Sequence, residues 1–150
     1  MEQGIRCEIT EILAKRNKVE DCEKWVVFSY EELREMQYLH AAVCESLRLY
    51  PPVPINSKAA LEDDVLPGGR YVGKGWTVDY SKYVMGRMKS IWGEDCEEFK
   101  PERWLKNGEF VGEDAYKFAA FNAGPRICLG KEMAFIQMKS IVALQSIVLV

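Results

Sequence analysis

The residues best suited to chemistry lie together in Phe121-Asn-Ala-Gly-Pro-Arg-Ile-Cys-Leu-Gly130. Cys128 sits there just before a segment of helical character, and no two of the five cysteines are close together. Backbone N–H groups and the positive end of a helix dipole stabilise a thiolate at such a place. Arg126 adds positive charge in a planar fork that matches a carboxylate. Gly124 and Gly130 let the backbone approach a flat ligand closely, and Phe121 can shield a sulfur from water. A thiolate in that setting is a good soft ligand for haem iron, where its electron density favours O–O cleavage. Arg126 could then pair with a haem propionate. The plainer alternative for the same residues is a buried cysteine in a glycine-rich turn.

Two further groups carry charge at suggestive spacings. Glu45-Ser-Leu-Arg48 places opposite charges three apart, on one face of a helix. Pro101-Glu-Arg-Trp104 reads as a proline-initiated turn with charges on it. Each alone is uninformative, because most such pairs are solvated and contribute little. Their order is more telling: Arg103 lies 55 residues after Arg48, and Cys128 lies 25 after Arg103.

Elements that must position these groups can be read from periodicity. Ile5, Ile9, Ile12 and Leu13 recur at helical spacing over 5–17. Ser29-Tyr-Glu-Glu32 is a capping box opening a second helix, expected to run to Tyr50 and stop at Pro51-Pro52. From Val53 to Tyr80, Pro67-Gly68-Gly69 and Gly73-Lys74-Gly75 separate short strands, with Trp76–Tyr80 the best of them. Residues 92–113 read as a long loop, of the kind often functional. A last helix follows Gly130, apolar on most faces from Met133 to Val148, as expected inside a larger body. Met133, Phe135, Met138 and Ile141 are assigned to core packing.

Composition narrows the function classes. Hydrophobic residues make up 48% of 150, enough for one domain with a core, mainly α with a small β part. The net charge is −3 with both signs interspersed, so no nucleic-acid surface is expected. The odd, scattered cysteines argue against a disulfide framework. His40 is the sole histidine, which excludes zinc sites built on several histidines, and it reads as a helix-face residue. No run of about 18 apolar residues encodes a membrane span. The first residues read as the middle of a helix, without a signal-peptide core.

Taken together and in order, Glu45-x-x-Arg48, Pro101-Glu-Arg-Trp104 and the Cys128 loop resemble the cytochrome P450 superfamily of haem-thiolate monooxygenases. The resemblance covers essentially residues 1–150 as one partial domain, the C-terminal portion of that fold. It implies haem (iron protoporphyrin with an axial thiolate) as cofactor and Cys128 as the metal ligand, with Arg126, Phe121, Gly124 and Gly130 around it. It implies a buried structural network of Glu45, Arg48 and Arg103 that holds the haem-binding core. Pro54, Ile55 and Asn56 would belong to a strand that edges the haem and contacts substrate.

Several stretches are closer to plant fatty-acid omega-hydroxylases. They are Asp63-Asp64-Val-Leu-Pro67, Met85-Gly-Arg-Met88, Trp92-Gly-Glu-Asp-Cys96, Phe99-Lys-Pro-Glu-Arg-Trp104 and the Cys128 loop through Lys131. Gly stands at the Pro67-Gly68-Gly69 turn where that branch usually has Asp. The implied activity is hydroxylation of a long-chain fatty acid at or near the terminal carbon. Electrons would come from an NADPH-dependent flavoprotein reductase at the endoplasmic reticulum membrane. Lys117, Lys131 and Lys139 are candidates to dock it, or ordinary surface lysines.

The chain corresponds to about the last third of a family member. The membrane anchor and the helix carrying the oxygen-activating acid/alcohol pair are expected outside these residues, so no catalytic residue is assigned here. Alternatives are oxidation of jasmonoyl–amino acid conjugates, a truncated non-catalytic product, or a small helical interaction domain.

Overall fold

A computed structural model describes residues 2–16 and 26–148. Asn17, Cys22, Leu149 and Val150 lie outside them. Helix α1 (Glu2–Ala14) buries Ile5, Ile9 and Ile12, the stripe its periodicity demands. At Ser29 the capping box is complete. Glu32 N donates to Ser29 Oγ at 3.2 Å, and Ser29 N donates to Glu32 Oε2 at 2.7 Å. Arg16, just past α1, also grips the Glu32 carboxylate at 2.6 and 2.8 Å, so the start of α2 is tied to the end of α1.

The single helix expected from Ser29 to Tyr50 is two, α2 (Tyr30–Glu35) and α3 (Gln37–Leu49). The break is at Met36, whose side chain is fully buried. The Gln37 amide bridges it, donating to Arg34 O at 3.0 Å and accepting from Phe110 N at 3.0 Å. A broken helix exposes the first N–H groups of the second piece, and α3 has no cap of its own. Glu8 of α1 supplies one across space: Tyr38 N and Leu39 N donate to its two oxygens at 2.8 and 2.9 Å. The carboxylate also meets the positive end of the α3 dipole.

Three two-stranded antiparallel sheets follow α3. Strand β1 (Ile55–Ala59) pairs with β4 (Thr77–Ser81), with Asn56 opposite Tyr80. Between them β2 (Asp64–Leu66) and β3 (Arg70–Val72) form a hairpin over Gly68 and Gly69, both with positive φ. Short helices α4 (Lys82–Met85) and α5 (Lys89–Trp92) come next. The segment read as a long loop is more ordered than expected. It contains a 3-10 turn at Pro101–Trp104 and a hairpin of β5 (Leu105–Lys106) and β6 (Glu109–Phe110). Asn107 and Gly108, at φ 55° and 85°, make the tight reversal that an Asn-Gly pair favours.

Helix α6 (Lys131–Val148) closes the core against α1 and α3. Only Phe135, Lys139 and Ala143 are buried, one residue per turn at i, i+4 and i+8. Met133 is 65% and Ile141 56% exposed, so these two are not core residues as expected from sequence, whereas Phe135 is and Met138 is half-buried. The helix has one face on its neighbours. Met133, Ile141, Leu144 and Val148 remain exposed. No helix among the described residues is long and apolar enough to cross a membrane.

His40 sits between Phe135, stacked at 4.4 Å, and Phe110, edge-on at 4.2 Å. Burial, with Lys139 and Lys131 nearby, pushes its pKa from 6.5 down to about 4. The unfolded chain therefore takes up this proton first. Stability is complete above pH 6.5 and declines as pH falls towards 4. Urea unfolding at intervals between pH 6.5 and 5, where carboxylates scarcely titrate, should show this slope in the wild type. His40→Phe, which keeps the stack, should flatten it.

Candidate functional site

Glu45 is fully buried in the middle of α3, and its carboxylate collects five donors. Arg48, one turn on, donates through Nε and Nη2 to the two oxygens at 2.7 and 2.8 Å. Arg103 Nε reaches Oε1 at 2.9 Å, and the Lys100 backbone N–H reaches it at 2.8 Å. Trp104 Nε1 donates to Oε2 at 2.9 Å. Burial works to raise the Glu45 pKa, but the donors from Arg48, Trp104, Lys100 and Arg103 outweigh it and hold the group ionised, below its ordinary 4.5.

The two arginines spend most of their remaining N–H groups on backbone carbonyls, and Arg103 also pairs with the Asp95 carboxylate at 3.4 Å. Arg48 donates to Gly86 O, to Cys96 O at 2.5 Å and to Glu98 O at 2.9 Å, and its guanidinium lies 5.1 Å over the Trp92 ring. Arg103 donates to Asp95 O at 3.0 Å. Irregular chain from 86 to 104 is thus pinned to α3 by side chains, because it has few ladder bonds of its own. Gly86 is required where α4 ends: a Cβ there would lie 2.1 Å from Arg48 O. Trp104, with no exposure, packs edge-on to Phe118 at 4.8 Å and against Trp92 at 5.5 Å.

The cysteine loop is built from two 3-10 turns, Ala119–Phe121 and Gly124–Arg126, ahead of α6. Cys128 N donates to Phe121 O at 2.8 Å, closing the loop at its neck. Lys131 N, the first residue of α6, donates to Cys128 O at 3.4 Å. The Cys128 thiol is exposed. Phe121 turns its ring to Phe135 of α6, 5.2 Å away, and so anchors the loop to the helix. Gly124 has φ +62°, and a Cβ there would stand 3.1 Å from the Tyr116 hydroxyl, so both conformation and space call for glycine. A Cβ at Gly130 would lie 3.9 Å from the Cys128 sulfur. Arg126 is exposed and, among the described residues, has no hydrogen bond or ion pair.

Other cysteines are differently placed. Cys44 and Cys96 are buried, and burial raises the Cys44 thiol to about 12. Cys7 is exposed on α1. Among the described residues no group of three His, Cys, Asp or Glu could hold a metal ion.

Sequence reasoning missed Asn122, Tyr80 and Lys82 at and around this loop. Asn122 has φ 60° and ψ −179°, a region nearly reserved for glycine that costs other residues about 1–3 kcal/mol. Its Oδ1 accepts from Asn56 Nδ2 at 2.9 Å and from the Tyr80 hydroxyl at 3.3 Å. The third is Lys82, 5% exposed, whose pKa burial lowers while nearby Cys128 acts in the opposite direction. Of the strand residues singled out from sequence, Asn56 is engaged with Asn122, Ile55 is 56% exposed, and Pro54 O accepts from Tyr83 N at 3.2 Å.

The three candidate docking lysines separate. Lys117 pairs with Glu113 at 2.7 Å and lies 4.7 Å over Trp92. Lys131 is half-buried at the start of α6. Lys139 is only 4% exposed, which contradicts its expected place on the surface. It follows Phe135 by four residues and precedes Ala143 by four, so it lies on the stripe that α6 turns inward.

The chain is similar to known proteins along most of its length. A family model described as Cytochrome P450 matches residues 1–145. Cytochrome P450 86B1 of Arabidopsis thaliana is 52% identical over 146 residues, 95% of this chain and 26% of that protein. Cytochrome P450 94A1 of Vicia sativa is 61% identical over 120 residues, 76% of this chain and 23% of that protein. A protein named noroxomaritidine synthase 2, from Narcissus pseudonarcissus, is 49% identical over 95% of this chain and 28% of its own length. The chain spans about a quarter of the length of the curated relatives it matches.

Glu45→Gln should destabilise the chain by about 3–5 kcal/mol in urea unfolding, because it leaves two buried guanidinium groups without their counter-charge. Trp104→Phe should cost about 1.5–3 kcal/mol, the loss of one hydrogen bond to a charged acceptor. Since the Glu45 pKa is depressed, its contribution is whole above the ordinary carboxylate range and disappears as pH falls through the lowered value. That acid-side loss should be absent in Glu45→Gln.

Proposed function

We propose, for a chain that belongs to the cytochrome P450 family, that the loop 121–130 holds a haem through the Cys128 thiolate. The carrying observation is the exposed Cys128 thiol, set by its own N–H on Phe121 O immediately before α6. The residues present fit such a group. Arg126 stands two positions away, exposed and without a partner among the described residues, as a carboxylate-binding group needs to be. Ile127 and Leu129 flank the thiol at 45% and 101% exposure, apolar side chains suited to a flat apolar face. Cys128 would be the axial ligand and Arg126 a propionate partner. Glu45, Arg48 and Arg103 would keep the surrounding chain rigid and would move no proton. Bound haem with an axial thiolate supplies activation of dioxygen for monooxygenation.

The finer reading is hydroxylation of a long-chain fatty acid at or near its terminal carbon. Asp63–Pro67, Met85–Met88, Trp92–Cys96 and Phe99–Trp104 support it, since they resemble plant fatty-acid omega-hydroxylases. Electrons would come from an NADPH-dependent flavoprotein reductase at the endoplasmic reticulum membrane, as in the family. Of the lysines near the loop, Lys131 would be the one to meet a reductase, since Lys139 is buried and Lys117 is paired.

Haem added to the chain, then reduced and exposed to carbon monoxide, should give a thiolate-type Soret band that Cys128→Ala abolishes. A band that survives Cys128→Ala would sink the ligand assignment. In the complete protein, NADPH, reductase and a long-chain fatty acid should yield the terminal hydroxy acid, and Lys131→Glu should slow electron transfer at low salt. Oxidation of a jasmonoyl–amino acid conjugate in place of the fatty acid would overturn the substrate reading. Unchanged transfer in Lys131→Glu would remove that lysine from the docking surface.

A further inference from the structure

The geometry points to Asn122 as a positioning residue that fixes the cysteine loop to the β1–β4 sheet and so sets where Cys128 stands. Two donors from different strands converge on one oxygen. Asn56 Nδ2 of β1 lies 2.9 Å from Asn122 Oδ1, and the Tyr80 hydroxyl of β4 lies 3.3 Å from it. Asn56 and Tyr80 are directly opposite each other in the strand register, so the contact spans the whole width of this sheet. Asn122 adopts its glycine-like backbone while carrying a side chain. At ψ −179° this lies outside the left-handed helical region that Asn tolerates, so the conformation persists because surrounding contacts hold it. An asparagine here bears a backbone cost that glycine would not, and it supplies the acceptor that glycine lacks.

The contact has a mechanical consequence. Phe121, the neighbour of Asn122, accepts the Cys128 N–H at 2.8 Å and packs its ring on Phe135. Adjacent residues thus tie the loop in two directions, Phe121 to α6 and Asn122 to the sheet. Cys128 depends on both anchors, because the Phe121 carbonyl that holds it is part of the same peptide unit as Asn122. The sheet carries Ile55 and Asn56 along its first strand, with Pro54 immediately before it. Asn122 therefore also fixes the spacing between the proposed iron ligand and that strand. Asn122 touches no reacting atom in this role, which rests on the reading of Cys128 as the axial ligand.

Asn122→Gly separates the two properties, since it keeps the backbone conformation and deletes the acceptor. In this variant, hydrogen exchange at the Cys128 and Ile127 amides should quicken several-fold, while α3 amides such as Leu47 are unchanged. The double variant Asn56→Ala, Tyr80→Phe, which leaves residue 122 intact, should quicken the same amides. Adding Asn122→Gly to it should then give little more. In haem-loaded protein, the thiolate-type carbon monoxide band of Asn122→Gly should decay several-fold faster than that of the wild type. Exchange unchanged in both the single and the double variant would overturn the proposal, and so would effects that simply multiply. Failure of the ligand reading looks different: the Soret band would survive Cys128→Ala while the exchange results stood.

Discussion

A carboxylate with no contact to water has to be neutralised where it lies, and Glu45 imposes that condition on everything around it. An isolated buried charge costs several kcal/mol. Its compensation comes from one residue of its own helix and three from the segment 100–104. Helix α3 and that segment therefore cannot part without stranding the charge. Arg48 extends the condition to Gly86, Cys96 and Glu98, so a stretch poor in regular structure is held by side chains. Whether such a network adds net stability is secondary. Its geometric effect is to allow one arrangement and penalise the others.

The cysteine loop hangs from the same core by a different means. Phe121 packs on Phe135, and Phe135 stacks on His40 of α3. This aromatic row is dispersion and apolar burial, tolerant of small shifts. Directional restraint comes from hydrogen bonds: Cys128 N to Phe121 O, and the sheet donors to Asn122. The loop can then leave its thiol, Arg126, Ile127 and Leu129 facing outward while remaining fixed in place. Their exposure contributes nothing to stability, and the proposed haem would give these side chains a partner.

Much of this was legible along the chain. The Ser29–Glu32 capping box, the buried face of α1 and the stop at Pro51 are local. Each is decided by residues a few positions apart, through propensity and short hydrogen bonds. The three ordered motifs likewise carried the family, because each is a contiguous pattern. The break at Met36 was not legible: it depends on burying Met36 and on Gln37 reaching Phe110, 73 residues away. The capping of α3 by Glu8 is also a contact between helices, invisible to any reading of α3 alone.

The same division holds at the site. The sequence by itself determined that Cys128 precedes a helix, that Arg126 and two glycines surround it, and that Glu45, Arg48 and Arg103 form a recognisable set. Only the tertiary structure decided which groups share Glu45, adding Trp104 and Lys100 to the two arginines. Only it turned Lys139 inward while leaving Met133 and Ile141 out, since the direction of a helix face is fixed by what the helix packs on. And only it joined Asn122 to Asn56 and Tyr80, 66 and 42 residues distant. Spacing records what neighbours along the chain can do, whereas a hydrogen bond across that distance exists only once the core has brought its partners together.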